Sequence, residues 1–333
     1  MNIMTKLVGF YIKNNNLMTA KKENPRKSKN ATVMAYMTGL IEQMKSAKRF
    51  GTARNYGRAR NSLGVFLQGH DIPFKKLDEN LMLRYSRHLQ TRGLARNSIS
   101  FYMRILRAVY NKAAKERFAR PGNPFRNVYT GIDTTRKRAL DEESVKKLMR
   151  LDLKGSPALA FSRDLFLFSY CMRGMSFVDI AFLRKKDLNG SYIKYQRQKT
   201  GQTLTVLVEP CVERIIKRYS ATTEGTPYMF PIISSSDMEE AYRQYQTALC
   251  YHNRKLKELA RMAEMNIPLS SYCARHTWAT AARNHNIPVS VISAAMGHNS
   301  EKTTMIYLAS LENSVIDKAN RVVIGSIGEM VSP

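Results

Sequence analysis

The stretch MGHNSEKTTMIYL, Met296–Leu308, sets His298 and Tyr307 nine residues apart with Thr303 and Thr304 between them. Upstream, SYCARHTWAT, residues 271–280, places Arg275 and His276 on an alanine-rich apolar helix that also carries Trp278, the only tryptophan in the chain. An arginine on such a helix needs a partner, either a buried carboxylate or an anion brought by a ligand. Each of the other residues also has two readings. Tyr307 is either packing on an amphipathic helix or a nucleophile, and His298 either ends a helix behind a Gly297 cap or faces a ligand.

Charge narrows the choice. The 333 residues hold 54 Lys and Arg against 26 Asp and Glu, a formal net charge of +28. A field of that sign attracts a polyanion, and nucleic acid is the first partner to consider. No apolar run approaches the roughly 18 to 20 residues that span a bilayer, and the basic residues are spread along the chain rather than gathered on one amphipathic helix, so no membrane partner is expected. Near the start, the apolar run Leu7–Ile12 is too short for a secretory core and Lys13 ends it, which points to the cytoplasm. Met18 opens a polar, lysine-rich segment and is a candidate initiation site. Cys171, Cys211, Cys250 and Cys273 have no CxxC spacing, so neither a disulfide framework nor a zinc site is expected. There is no glycine-rich phosphate loop, no HExxH and no carboxylate pair set for two metals, so no cofactor is expected. Cutting a nucleic acid would then fall to a protein nucleophile, with cationic side chains stabilising the pentacoordinate phosphate.

The periodicity predicts a mainly α protein with an α+β second domain: an N-terminal helical bundle, then a mostly helical C-terminal domain carrying a small antiparallel sheet. Residues 1–31 read as a flexible basic arm. Four helices follow over 32–117, starting near Ala31, Thr52, Glu79 and Arg96. Their exposed positions carry an excess of arginine, of which Arg54, Arg58, Arg96 and Arg104 are candidate DNA contacts, since the guanidinium fork suits phosphate. Residues 118–137 contain prolines, glycines and a basic cluster and read as a linker. From 138 the second domain begins, with DEESVKKLM as a helix start. Helices are expected near 158–172 and 178–183. SYIKYQRQKTGQTLTVLV, residues 191–208, changes to period two around a KTGQ turn and predicts a hairpin with Lys199 at its tip. Six further helices are expected, near 209–219, 235–262, 270–284, 288–296, 300–308 and 310–320.

The ordered set ARHTWAT, MGH and TTMIY resembles the tyrosine recombinase, or phage integrase, family, with its ARHTFAT-like segment, LGH, and TTxxY nine residues past the histidine. The spacing agrees: 23 residues separate Arg275 from His298 and nine separate His298 from Tyr307. The departures described below resemble those in integrases of conjugative transposons and related mobile elements. The resemblance implies a helical DNA-binding domain of SAM-like type over 32–117 and a catalytic domain over 138–322, with 323–333 as a C-terminal tail. It implies a site-specific recombinase that cleaves and rejoins DNA through a 3′-phosphotyrosyl bond. Tyr307 would be the nucleophile, Arg275 and His298 would hold the phosphate, and Lys199 would protonate the leaving 5′-oxygen. It also implies double-stranded DNA as substrate, a homotetramer assembled on it through the C-terminal segment, and accessory DNA-bending proteins as candidate partners.

Two positions depart from the family pattern. The first family arginine lies three residues before an acid; Asp179 is that acid here, but Ser176 stands three before it and Arg173 three further back. Arg173 is expected to reach the same phosphate from a helix end. Where the family has HxxR, this chain has Tyr272, which can donate a hydrogen bond to phosphate but cannot relay a proton near neutral pH. His276 is expected to be buried and structural.

Overall fold

A computed structural model of the chain describes residues 31–133, 139–298, 300–305 and 308. The chain divides into two compact units, one ending at Thr134 and the other starting at Thr135. The arm, Tyr307, the expected helix at 310–320 and the tail at 323–333 lie outside the described residues.

Among its described residues the first unit contains four α-helices, α1 Val33–Ser46, α2 Phe50–Phe66, α3 Glu79–Thr91 and α4 Arg96–Lys115, with a short 3-10 turn at Phe74–Lys76. Local chemistry sets their ends. Asp78 caps α3 by accepting from Leu81 N at 2.8 Å. α1 has no cap of its own; Asp71, from the loop after α2, takes the Met34 and Ala35 N–H groups at 2.8 and 3.0 Å. The inner faces bury Met37, Leu63, Met82, Tyr85, Leu89 and Met103 in one core.

That core reaches further along the chain than the sequence suggested. Ala119, Phe125 and Val128, in the expected linker, are buried in it. The Tyr110 hydroxyl donates to Arg120 O at 2.9 Å, and Asn97 holds Asp133 through both its amide oxygen and nitrogen, at 2.8 and 3.0 Å. Through Asp133 the segment is therefore part of the first unit, a correction to the 118–137 linker. Its apolar side chains outweigh the proline and glycine signals, which break helices without preventing packing.

The second unit contains α5 Glu142–Arg150, α6 Pro157–Cys171, α7 Phe177–Ala181, the strands β1 Leu188–Asn189, β2 Tyr192–Gln196 and β3 Thr203–Leu207, then α8 Pro210–Tyr219, α9 Met238–Met262, α10 Cys273–Asn284, α11 Val289–Met296 and α12 Glu301–Met305. The sheet is antiparallel in the order β1-β2-β3, with Ile193 opposite Val206. β1 is too short to leave a periodic signal. α6 is the apolar centre: it packs on α8, α9 and α10 and buries Leu165, Phe166 and Phe168. The Leu140 N–H donates to Thr277 Oγ1 on α10 at 3.0 Å, fixing the start of the unit beside that helix. Among the described residues no helix is long and apolar enough to cross a membrane.

Candidate active site

Arg275 lies on α10 with 3 % of its surface exposed. Its Nη1 donates to Gly174 O and its Nη2 to Met296 O, each at 2.7 Å, and Nη2 also meets His298 Nε2 at 2.9 Å. Carbonyl oxygens are neutral acceptors, so this cradle orients the guanidinium without itself neutralising its charge. The close approach depends on glycine. Gly174 has φ +70°, and a Cβ there would stand 2.8 Å from Arg275 Cα.

Arg173, immediately before it, also adopts a left-handed conformation, φ +58°, rare for a side-chain-bearing residue. The pair turns the chain at the end of α6, and Ser169 locks the turn by donating from Oγ to Met175 O at 2.7 Å. Arg173 is half-buried and directs Nη1 toward Thr205 O on β3 at 3.5 Å. Arg173, Arg197 and Arg275 all lower the pKa of the Tyr195 hydroxyl on β2, although burial first and Asp179 second push it up more strongly. The three guanidinium groups thus converge on one neighbourhood.

His298 follows Gly297, whose left-handed φ of +63° ends α11, and the His298 N–H closes the cap on Ser293 O at 3.0 Å. Its imidazole bridges Arg275, through Nε2, and Thr304 Oγ1, through Nδ1, at 2.9 Å each. A guanidinium only donates, so Nε2 is the acceptor and the ring proton sits on Nδ1, shared with the Thr304 hydroxyl. Burial, then Arg275, Arg197 and Lys199, hold the imidazole down at about 4. Lys199 is exposed at the tip of the β2–β3 hairpin and near enough to contribute to that shift.

The hairpin is clasped on both sides. Asp179 Oδ1 accepts from Gln198 N at 2.8 Å and Oδ2 from Ser176 Oγ at 2.6 Å, which anchors the residue next to Lys199. Arg197 is 7 % exposed and donates from Nη1 to Gly297 O. A Cβ on Gly297 would lie 3.0 Å from both Arg197 Cδ and Leu204 Cδ1, so the α11 cap sits flush on the hairpin. Arg197, Thr304 and the anchoring role of Asp179 escaped the sequence reading. Alternation could have found Arg197: Ile193 and Tyr195 on β2 and Arg197 just past its end are buried, while Lys194 and Gln196 are exposed.

Tyr272 is 45 % exposed at the N-terminus of α10, edge-on to His276 with ring centroids 5.5 Å apart. His276 is half-buried, a correction to the buried residue expected, because it lies on the rim of α10 beside that exposed ring. Tyr307 lies outside the described residues; on either side of it, Thr304 and Leu308 are buried, Leu308 against the cluster of Ala279, Ile292 and Met296. Among the described residues no three His, Cys, Asp or Glu side chains gather as metal ligands would.

Of the four arginines singled out on the first unit, Arg54 and Arg58 are exposed on α2 and have no partner among the described residues. Arg96 is engaged within its own unit, stacked over the Tyr129 ring at 3.8 Å and 3.5 Å from Asp133. Arg104 is half-buried and holds Ser100 O at 3.4 Å.

Residues 32–128 match the model of the phage integrase SAM-like domain and residues 138–314 that of the phage integrase family. Tyrosine recombinase XerA of Pyrococcus furiosus is 26 % identical over 229 residues, 68 % of this chain and 74 % of that protein. In fold, the chain is similar to a lambda integrase dimer bound to a COC′ core site, with TM-score 0.61 and 13 % identity, covering 83 % of this chain and 95 % of that one. It is also similar to the Tn1549 transposon integrase in complex with a circular intermediate DNA, with TM-score 0.62 and 17 % identity, covering 87 % of this chain and 99 % of that one. With the matched catalytic-domain model spanning more than half of its length, the chain belongs to the phage integrase family, the tyrosine recombinases, and is a site-specific DNA recombinase.

Proposed function

We propose that the chain cleaves double-stranded DNA by attack of the Tyr307 hydroxyl on a scissile phosphate, forming a 3′-phosphotyrosyl bond and releasing a 5′-hydroxyl, and then rejoins a different strand by the reverse step. The observation that carries this reading is the Arg275–His298 pair, held by backbone carbonyls and Thr304, which offers an oriented cation beside an imidazole. An incoming phosphate would draw the Arg275 fork onto its non-bridging oxygens, where charge accumulates in the transition state. Arg173 would supply a second guanidinium from the α6 turn, and Tyr272 an O–H donor. Lys199, on a hairpin anchored by Asp179, would give its proton to the leaving 5′-oxygen. In the first unit, Arg54 and Arg58 would grip the phosphate backbone, with Arg96 and Arg104 joining if they leave their present partners. We further propose that four copies assemble on DNA through the C-terminal segment, a reading supported by the similarity in fold to a lambda integrase tetramer bound to a Holliday junction, and that they move a mobile element in the cytoplasm by integration, excision or inversion.

Trapping on a duplex nicked next to the cleavage site tests the chemistry. Wild-type protein is expected to form a covalent complex, which Tyr307→Phe abolishes while DNA binding persists. Tight binding with no covalent complex in the wild type would mark a relative that has lost cleavage. A cleavage rate unchanged in Arg173→Ala would remove Arg173 from the phosphate site.

A further inference from the structure

Cys171 is the last residue of α6, and Cys211 lies in the first turn of α8. Their Sγ atoms are 4.0 Å apart, and neither is in a disulfide. A disulfide needs about 2.05 Å, a closure of about 2 Å that side-chain rotation can largely supply when the backbones already face each other. α6 and α8 pack together, and the two sulfurs already meet across that contact. Cys211 is exposed and Cys171 half-buried, which gives an external reagent access to one sulfur and leaves the other behind it. Cys250 and Cys273 show no such pairing with another cysteine: Cys250 is exposed on α9, and Cys273 is buried against Ser270.

The position of the pair matters more than its existence. Two residues after Cys171 comes the left-handed turn of Arg173 and Gly174, whose carbonyl holds Arg275. Cys211 follows the hairpin that carries Lys199, four residues past the end of β3. A bond between them joins the segments that feed both sides of the phosphate site. We propose that Cys171 and Cys211 form a reversible intramolecular disulfide that draws the end of α6 toward α8 and slows DNA cleavage. Its effect on cleavage rests on the active-site reading above; the bond itself does not.

The oxidant is a low-molecular-weight disulfide. Cys211 Sγ, as thiolate, attacks one of its sulfurs, breaking the S–S bond and releasing one small thiol. Cys171 Sγ then attacks Cys211 Sγ, gives its proton to solvent, and displaces the second small thiol. Two protein thiols are oxidised and one small disulfide is reduced to two thiols. Burial, then the neighbouring Cys211, pushes the Cys171 thiol up to about 12, so the first attack belongs to Cys211. In a reducing cytosol such a bond would be transient and regulatory rather than structural.

The full-length protein is incubated with oxidised glutathione, quenched by alkylation in acid and mapped by peptide mass. Cleavage of the nicked duplex is followed in parallel. The expected result is a Cys171–Cys211 linked peptide, cleavage slowed several-fold, and recovery of the starting rate with dithiothreitol. Cys211→Ser, at an exposed position, should fold, cleave as the reduced wild type does and ignore the oxidant. No linked peptide, linkage with an unchanged rate, or equal slowing of Cys211→Ser would each overturn the proposal. Should reduced wild-type protein form no covalent complex before any oxidant is added, the recombinase chemistry fails on its own, and the peptide map still decides the bond.

Discussion

His298 has its Nε2 turned to Arg275 as an acceptor, so it cannot donate to a phosphate from that atom until it gains a second proton. Near pH 7 it is neutral, because burial and three cations hold it at about 4. A scissile phosphate brings negative charge into the same space and raises that value. If it climbs back toward the ordinary 6.5, the complex carries a proton that the free protein lacks between about pH 4 and 6.5. DNA affinity should therefore rise as pH falls through that window, with proton uptake visible by calorimetry in buffers of different ionisation enthalpy. His298→Gln should show neither, and identical behaviour of the two proteins would sink the idea. The same depressed pKa acts in the opposite sense on folding: the unfolded histidine takes its proton first, so this contribution to stability is complete above 6.5 and declines as pH falls toward 4. Gly174 gives a second test at this scale. Gly174→Ala sets a Cβ 2.8 Å from Arg275 Cα and strains a φ of +70°. It should lower the melting temperature and slow cleavage by about 10²-fold, the usual cost of displacing one phosphate-stabilising donor. Wild-type cleavage by this variant would mean that the carbonyl cradle does not set the position of Arg275.

The elements were the most legible part of the sequence, for physical reasons. α3 and α4 could be read because apolar residues recur at helical spacing over many turns, and the hairpin because its period changes to two around a glycine turn. The cradle of Arg275 could not be read, since backbone carbonyls at Gly174 and Met296 have no side-chain signature and meet only when α6, α10 and α11 are packed. Asp179 is an intermediate case. As a residue it was visible, but its hold on Gln198 spans 19 positions and belongs to the relation between α7 and the hairpin. That relation is testable. Asp179→Ala leaves the Gln198 N–H and the Ser176 hydroxyl without their acceptor, which should destabilise the second unit by about 2 kcal/mol. It should also slow cleavage while leaving DNA affinity nearly unchanged, because Lys199 loses its anchored neighbour and the phosphate contacts proposed for the first unit are untouched. Asp179→Asn should retain most of the activity: its carbonyl can still accept from Gln198 while its amide donates to a Ser176 hydroxyl turned to accept. Equal damage from the two substitutions would show that the carboxylate charge, rather than the hydrogen-bond pair, is what the hairpin needs.

For the whole molecule the governing quantity is the net charge of +28. Each cation that meets a DNA phosphate releases condensed counterions, so affinity falls with salt at a slope set by the number of such contacts. For about six to ten contacts, binding to duplex DNA of any sequence should weaken by roughly 10³ to 10⁵ between 50 and 200 mM salt. Not every arginine contributes equally, and the structure ranks them. Arg54 and Arg58 are exposed on α2, one turn apart and without a partner among the described residues, whereas Arg96 is committed to Tyr129 and Asp133. A phosphate bound by Arg96 must replace contacts the protein already makes, so its net gain is smaller. Arg54→Ala and Arg58→Ala should each reduce the salt slope by about one, while Arg96→Ala should change it less and lower the melting temperature of the first unit instead. The same measurement separates grip from chemistry. Raising the DNA concentration should restore the cleavage rate of the Arg54 and Arg58 variants, because they weaken occupancy without altering the phosphate site. It should leave Arg275→Ala inactive, since that substitution removes the charge from the site itself. Recovery of Arg275→Ala at high DNA concentration would show that the buried guanidinium serves binding alone.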